Sequence, residues 1–328
     1  MRDNMDLIIS DLNKKIYKIT KPNECFICGN KMESPCNSHV VPQFILKSFA
    51  EKGQLYYGQT LFKYSNIFKC KKGINNIFTF HLICKKCDNL YFNAYEKPET
   101  IFCFDSYDRK LKNRILSEIA IKALLANYSV KNYISGMKLL TNGVFGGSTE
   151  LDKVDCINKI QYIKKCKNSN NDVINIIYNK LLNYEVKLAC QCAIAIVRDL
   201  ENNICFDVHD YSRANIANYL YLNIFPYKGA TRIILFNFKY DYIDNNVKVI
   251  EQFNSLTEDD KLKFIFVALT MYSEQFILAP SLNEIMKKDK KLLHMYTKTD
   301  NNNIDDRVFK EFKNFRNYEN YFSEKYNK

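Results

Sequence analysis

The segments Cys25-Phe26-Ile27-Cys28 and Cys84-Lys85-Lys86-Cys87 decide the fold of this sequence, because each is a CxxC pair. Two such pairs can surround one zinc ion tetrahedrally, each pair supplying two thiolates from one turn. Gly29 follows the first pair directly, where a zinc knuckle needs a tight backbone turn. The sequence therefore predicts a structural Zn²⁺ site with the ligands Cys25, Cys28, Cys84 and Cys87.

The composition of the chain limits its partners and its compartment. The 328 residues carry a net charge of +12, and a basic protein suits a polyanionic partner such as nucleic acid. No apolar run reaches the roughly 18 residues that a membrane span needs, so no membrane association is expected. Residues 1–18 lack the basic-then-apolar order of a secretory signal, which predicts a cytoplasmic protein. The twelve cysteines are then expected to be thiols or metal ligands rather than disulfides.

A second group of residues lies between and directly after the two cysteine pairs. Ser38-His39-Val40-Val41-Pro42 follows the first pair, and Asp88-Asn89 follows the second. This arrangement resembles the HNH, or ββα-metal, endonucleases, in which a strand bearing a histidine lies between two CxxC pairs and the second pair opens a helix. The resemblance covers about 25–96, less than a quarter of the chain. Pro42-Gln43-Phe44 and Tyr95-Glu96 fit a variant of that family in which Ser-His replaces Asp-His.

The resemblance implies a chemistry for this segment. Phosphodiester hydrolysis needs a base that activates water and a cation at the leaving oxygen. By position in the motif, His39 would be the general base, and Asp88 would hold a catalytic Mg²⁺ or Mn²⁺, because hard cations prefer oxygen ligands. The family usually has an aspartate where this sequence has Ser38, so the carboxylate is expected on Asp88 instead. The alternatives for His39 are a purely structural role and an association with the zinc ion.

Several neighbouring residues are candidates for supporting roles. Asn75 and Asn76 both precede the second pair, and either would orient the histidine loop through hydrogen bonds. His81 is interpreted as a strand residue without a role, with a phosphate contact or a spare zinc ligand as alternatives. Glu96 would lie about 80° from Asp88 around a helix, which makes it only a candidate second ligand. The remaining candidates are Asn89, and Lys85 and Lys86 as nucleic-acid contacts.

The apolar pattern along the rest of the chain favours an α+β fold. Helical spacing predicts helices over 5–19, 109–130 and 257–278, and strict alternation of apolar residues predicts a strand over 186–196. The glycines over 136–147 predict a connecting loop.

We therefore expect two units. Residues 1–108 would form an N-terminal helix and a small zinc-stapled ββα-metal (HNH) domain, and residues 109–328 a larger α+β domain with a regulatory or targeting role. The resemblance implies an endonuclease that hydrolyses nucleic acid, with DNA favoured as substrate and a role in defence against phage. The alternative is a zinc-knuckle module that binds nucleic acid or protein without hydrolysis. A homodimer or a regulatory protein partner is compatible with both.

Overall fold

A computed structural model describes the fold of this protein. The residues that it describes are 2–57, 71–144, 150–207, 210, 212, 217–239, 244–273, 275–299 and 309–327. The helices are α1 (Arg2–Thr20), α2 (Gln43–Phe49), α3 (Lys85–Tyr91), α4 (Pro98–Phe102), α5 (Arg109–Leu140), α6 (Glu150–Cys166), α7 (Asp244–Asn254), α8 (Glu258–Tyr272), α9 (Pro280–Met286) and α10 (Lys290–Thr299). The strands are β1 (Ser38–His39), β2 (Gln54–Tyr57), β3 (Lys71–Gly73), β4 (Thr79–Phe80), β5 (Ile174–Leu182), β6 (Leu188–Ala195), β7 (Tyr219–Tyr227), β8 (Ala230–Phe238) and β9 (Phe276–Leu278).

An antiparallel sheet of seven strands forms the centre of the molecule, with the order β3-β2-β9-β6-β7-β8-β5. Both of its faces are covered, because successive residues of a strand point to opposite sides and both sets are buried. In β6, Cys190 and Cys192 pack into an apolar cluster with α7, α8 and α9, whereas Ala189 and Ala193 pack into a second cluster with α5 and α6. The mixed helix-and-sheet architecture confirms the predicted α+β class.

The segment between the two CxxC pairs contributes to two different sheets. Strands β1 and β4 form a small antiparallel pair in which Ser38 faces Phe80 and His39 faces Thr79. Strands β2 and β3 instead join the edge of the central sheet through β9. One apolar cluster therefore runs from Cys25 through α5 to Ala279. The predicted division at 108/109 stays a prediction, but the residues on its two sides share this sheet and this core.

Two local predictions are wrong for reasons of packing. Gly136 lies inside α5 rather than in a loop, and a Cβ at this position would lie 2.6 Å from Cγ2 of Thr20. The glycine is therefore needed where α1 crosses α5 closely, not where the chain turns. The helix predicted over 257–278 ends at Tyr272, and Phe276–Leu278 form β9 because that apolar run pairs with β2 and β6.

Candidate metal centre and the adjoining charged cluster

The four predicted zinc ligands lie together. The sulfur atoms of Cys25, Cys28, Cys84 and Cys87 are all within 4.8 Å of one another, which suits four thiolates around one ion. The backbone N–H of Cys84 donates to Sγ of Cys25 at 3.3 Å, and Gly29 adopts a φ of +73° in the turn after the first pair. The group is thus a site that can hold a zinc ion, and the expected turn at Gly29 is confirmed.

Backbone amides prepare Cys25 for a metal. Burial alone would raise the pKa of this thiol, but N–H groups of Cys28, Cys84 and Ile27 lower it to about 7. A thiol must lose its proton to bind zinc, so these donors favour the form that the metal needs.

The two cysteine pairs are anchored to the rest of the protein from two directions. The amide of Phe26 donates to the carbonyl of Leu82 at 3.1 Å, which ties the first pair to the segment between β4 and the second pair. From α6, Nζ of Lys164 donates to the carbonyls of Phe26 and Ile27, each at 3.0 Å. The ammonium of Lys164 also interacts electrostatically with the cysteine thiolates. The first knuckle turn is therefore held by a helix far away in the sequence.

His39 has the hydrogen bonding of an oriented imidazole. Its Nε2 lies 2.9 Å from the carbonyl oxygen of Ile74, an acceptor that requires the proton to be on Nε2. Nδ1 is left with a free lone pair, since it has no hydrogen-bond partner in the described part of the chain. Burial lowers the pKa of His39 below its ordinary value of 6.5, although the Ile74 carbonyl opposes this shift. The ring is consequently neutral at pH 7 and half-buried rather than enclosed in apolar packing.

Asp88 lies next to Cys87 on α3 and meets the residue before His39. The hydroxyl of Ser38, which is fully buried, donates to Oδ1 of Asp88 at 2.5 Å. A buried hydroxyl that donates to a carboxylate fixes the position of both groups. Ser38 therefore links β1 to α3. The negative charge of Asp88 also acts on the His39 ring and opposes the lowering of its pKa.

Lys122 of α5 completes a group that we call the charged cluster, consisting of Asp88, Glu96 and Lys122. Nζ of Lys122 lies 3.4 Å from Oδ1 of Asp88 and forms an ion pair with Glu96, and its side chain is only 2% exposed. The helix predicted to carry Glu96 ends at Tyr91, so the expected angle around a helix does not apply. The chain leaves α3 and brings Glu96 to the same lysine that Asp88 contacts.

The charged cluster has the donor chemistry of a divalent-cation site. Two carboxylates, 23% and 30% exposed, converge on one point, and oxygen donors of this kind suit Mg²⁺ or Mn²⁺. Burial raises the pKa of Glu96 although Lys122 opposes this, so the site disfavours accumulated negative charge. Among the described residues, the four cysteines are the one group of three or more ligands drawn tightly together. His39, Asp88 and Glu96 do not form a second such group.

The structure separates the supporting candidates. Asn75 accepts hydrogen bonds from Asn37 at its carbonyl and from Gln43 at its side chain, 3.1 and 3.2 Å long, so it ties the loop to both ends of the histidine segment. Asn76 is exposed and makes no side-chain hydrogen bond to any described residue. His81 lies outside the cysteine group and packs edge-on against Tyr17 of α1, with 5.3 Å between the ring centroids. Lys85, Lys86 and Asn89 are all exposed on α3.

Sequence reasoning missed Lys122 and Cys36. Lys122 interrupts a buried apolar run on α5, from Ile119 to Ala126, and a charged residue in such a run was the available signal. Cys36 lies two residues before Ser38, and burial together with the charge of Asp88 raises its pKa to about 12. Cys36 lies outside the four-sulfur group.

No protein-family model matches this chain, and no curated protein and no solved structure was found to match it. The resemblance to HNH endonucleases consequently rests on the motif residues. Across the described ranges, no helix is both long and apolar enough to cross a bilayer.

Proposed function

We propose that this protein is a metal-dependent endonuclease of the HNH type that hydrolyses nucleic acid, with DNA as the favoured substrate. A structural Zn²⁺ would lie between the four cysteines, and a catalytic Mg²⁺ or Mn²⁺ at Asp88. The observation that carries the proposal is the hydrogen bond from Ser38 to Asp88. It holds the strand that bears His39 against the start of α3, and the charge of Asp88 acts on the half-buried imidazole.

The side chains divide the expected chemistry between them. With Nε2 engaged by the Ile74 carbonyl, Nδ1 of His39 can accept the proton of an attacking water, and the lowered pKa keeps it ready at neutral pH. Asp88 and Glu96 would hold the divalent ion, which when bound supplies positive charge for the leaving oxygen. Lys85 and Lys86 are exposed on the first turn of α3, where they can contact phosphates beside the site.

Cleavage of plasmid DNA in Mg²⁺ or Mn²⁺ tests the proposal. The wild type is expected to nick or cut the plasmid, and His39→Ala to reduce the rate by about 10²–10⁴-fold, the usual contribution of a general base. His81→Ala is the matched control, because His81 is a similarly half-buried histidine that packs against α1 instead. Equal cleavage by wild type and His39→Ala would rule out the assigned role of His39. A protein free of activity on DNA and RNA in both ions would rule out the nuclease.

The second candidate is a zinc-knuckle module that binds nucleic acid or protein without hydrolysis. It is favoured by one observation, namely that Lys122 already pairs with Asp88 and Glu96 and so offsets part of their charge without an added cation. The same plasmid experiment separates the candidates when it is combined with a mobility-shift assay. Retarded but uncut DNA, with the shift unaffected by His39→Ala, would favour the binding module.

A further inference from the structure

Lys122 is an unusual residue for its position. It lies in the middle of α5, its neighbours in sequence are buried alanine, isoleucine and leucine residues, and its own side chain is 2% exposed. Its ammonium lies over two aromatic rings, with Nζ 4.9 Å from the ring centroid of Phe92 and 6.0 Å from that of Tyr95. A lysine this deeply buried is retained only where charge partners compensate its desolvation.

The partners of Lys122 are the two residues that would hold the divalent ion. Asp88 and Glu96 together carry two negative charges, and the ammonium reduces the net charge of the charged cluster to about −1. A third acidic residue near Lys122 is Glu118 of α5. It is engaged elsewhere, since it pairs with Arg114 and Lys167 and accepts a hydrogen bond from the amide of Ala94. Lys122 therefore serves the two carboxylates of the proposed site.

We propose that Lys122 is a resident counter-ion that competes with a divalent cation for Asp88 and Glu96 and thereby sets the metal affinity of the site. The inference rests on the proposed metal-dependent function. A cation bound to Asp88 would lie within a few ångströms of the ammonium, and like charges repel strongly in a partly buried site. A phosphodiester brings a negative charge that offsets Lys122, so the ion and the substrate would favour each other's binding.

A structural role and a competing role for Lys122 predict opposite changes in Mn²⁺ affinity when the lysine is replaced. If Lys122 only supports the fold, its replacement leaves Mn²⁺ binding unchanged or weakens it. If it competes with the ion, an uncharged residue of similar length tightens Mn²⁺ binding, by about tenfold or more for the removal of one nearby charge. Methionine is suitable because it retains an unbranched chain against the Phe92 and Tyr95 rings.

The test is a titration of the full-length, zinc-loaded protein with Mn²⁺, in which electron paramagnetic resonance measures the free ion. Lys122→Met is expected to bind Mn²⁺ about tenfold more tightly than the wild type, and Asp88→Asn in the same background to abolish the gain. Lys159→Met is the matched control, because Lys159 is also 2% exposed and pairs with Asp155 on α6. Its affinity for Mn²⁺ is expected to equal that of the wild type.

Three results would overturn the inference: equal or weaker Mn²⁺ binding by Lys122→Met, a gain that survives Asp88→Asn, and no Mn²⁺ binding by either protein. Zinc content and circular dichroism establish that each variant is folded, and Lys122→Gln replaces Lys122→Met under the same criteria if the latter does not fold. DNA cleavage by the wild type without a gain in Lys122→Met would retain the nuclease and remove this inference. A gain in Mn²⁺ affinity without cleavage by any variant would retain the inference about Lys122 and remove the nuclease.

Discussion

The four-cysteine group and the charged cluster both include a residue of the short helix α3, but their negative charge is compensated in opposite ways. Cys87 and Asp88 are consecutive residues of α3, and the first points into the sulfur group while the second meets Ser38 and Lys122. Four like ligands gathered together need a cation from outside, since each thiolate repels the others. The charged cluster contains its own cation. One site would thus depend on a bound metal for its stability, whereas the protein itself offsets part of the charge of the other.

Loss of a zinc ligand is expected to have the largest effect, because the sulfur group would depend on the bound ion. Cys87→Ser should reduce the zinc content to background and lower the melting temperature sharply, since structural zinc sites contribute an apparent binding free energy of about 10–16 kcal/mol in small peptides. Elemental analysis and thermal denaturation measure both. Cys103→Ser is the control, because Cys103 is exposed and lies outside the group. A variant with full zinc content would show that Cys87 is not a ligand.

Neutralising Glu118, which lies near the charged cluster, should destabilise the fold and leave the zinc content unchanged. Glu118 has a fully buried side chain, pairs with Lys167 at 2.9 Å and accepts the amide of Ala94, in the segment that carries Glu96. Glu118→Gln would leave a nearly buried ammonium unpaired, at a cost of about 3 kcal/mol in the free energy of unfolding. Urea denaturation measures this loss.

The control for Glu118→Gln is Glu99→Gln, which alters an exposed carboxylate and should change the unfolding free energy by less than about 0.5 kcal/mol. Zinc content is expected to be the same in both variants. If Glu118→Gln released zinc, the two sites would not be independent and the comparison would fail.

Loss of the Ser38 hydroxyl is expected to have a smaller effect that is confined to activity. A hydrogen bond to a charged group contributes about 1.5–3 kcal/mol, so Ser38→Ala should slow cleavage roughly tenfold or more by freeing Asp88. Ser48→Ala is the matched control, because its hydroxyl also donates to a carboxylate, that of Glu185. Rates of plasmid cleavage measure the effect, and equal rates for both variants would dissociate the Ser38–Asp88 contact from catalysis.

The pH dependence of stability should be the smallest effect. Burial lowers the pKa of His39 below 6.5, so the unfolded chain binds the proton more readily than the folded chain. Stability is therefore fully present above pH 6.5 and is lost as the pH falls below that value, by at most about 1 kcal/mol for this partly exposed ring.

The urea midpoint of the wild type should be lower at pH 5.5 than at pH 7. In His39→Gln, the contribution of His39 to this difference should disappear. His81, whose pKa burial also lowers, remains as the source of the residual dependence. The same difference in wild type and His39→Gln would show that His39 is not buried in its neutral form.

Local patterns predicted well wherever a few neighbouring residues decide the outcome. The CxxC spacing placed four sulfur atoms correctly, and the apolar alternation around Cys190 placed β6. Predictions failed where distant segments compete for the same residues. Gly136 is helical because α1 packs against it, and Phe276–Leu278 leave the preceding helix because β2 and β6 provide strand partners. Neither competitor is visible within a window of the sequence.

The same distinction separates the two sites. The zinc ligands and the Ser-His segment are recognisable from spacing alone, because coordination by a short turn constrains residues that are close in the chain. Lys122 could be placed beside Asp88 and Glu96 only by the packing of α5 against the segment that follows α3. Long-range packing obeys no fixed sequence interval, so the four-sulfur group could be predicted from the chain, whereas the lysine beside the carboxylates required the folded structure.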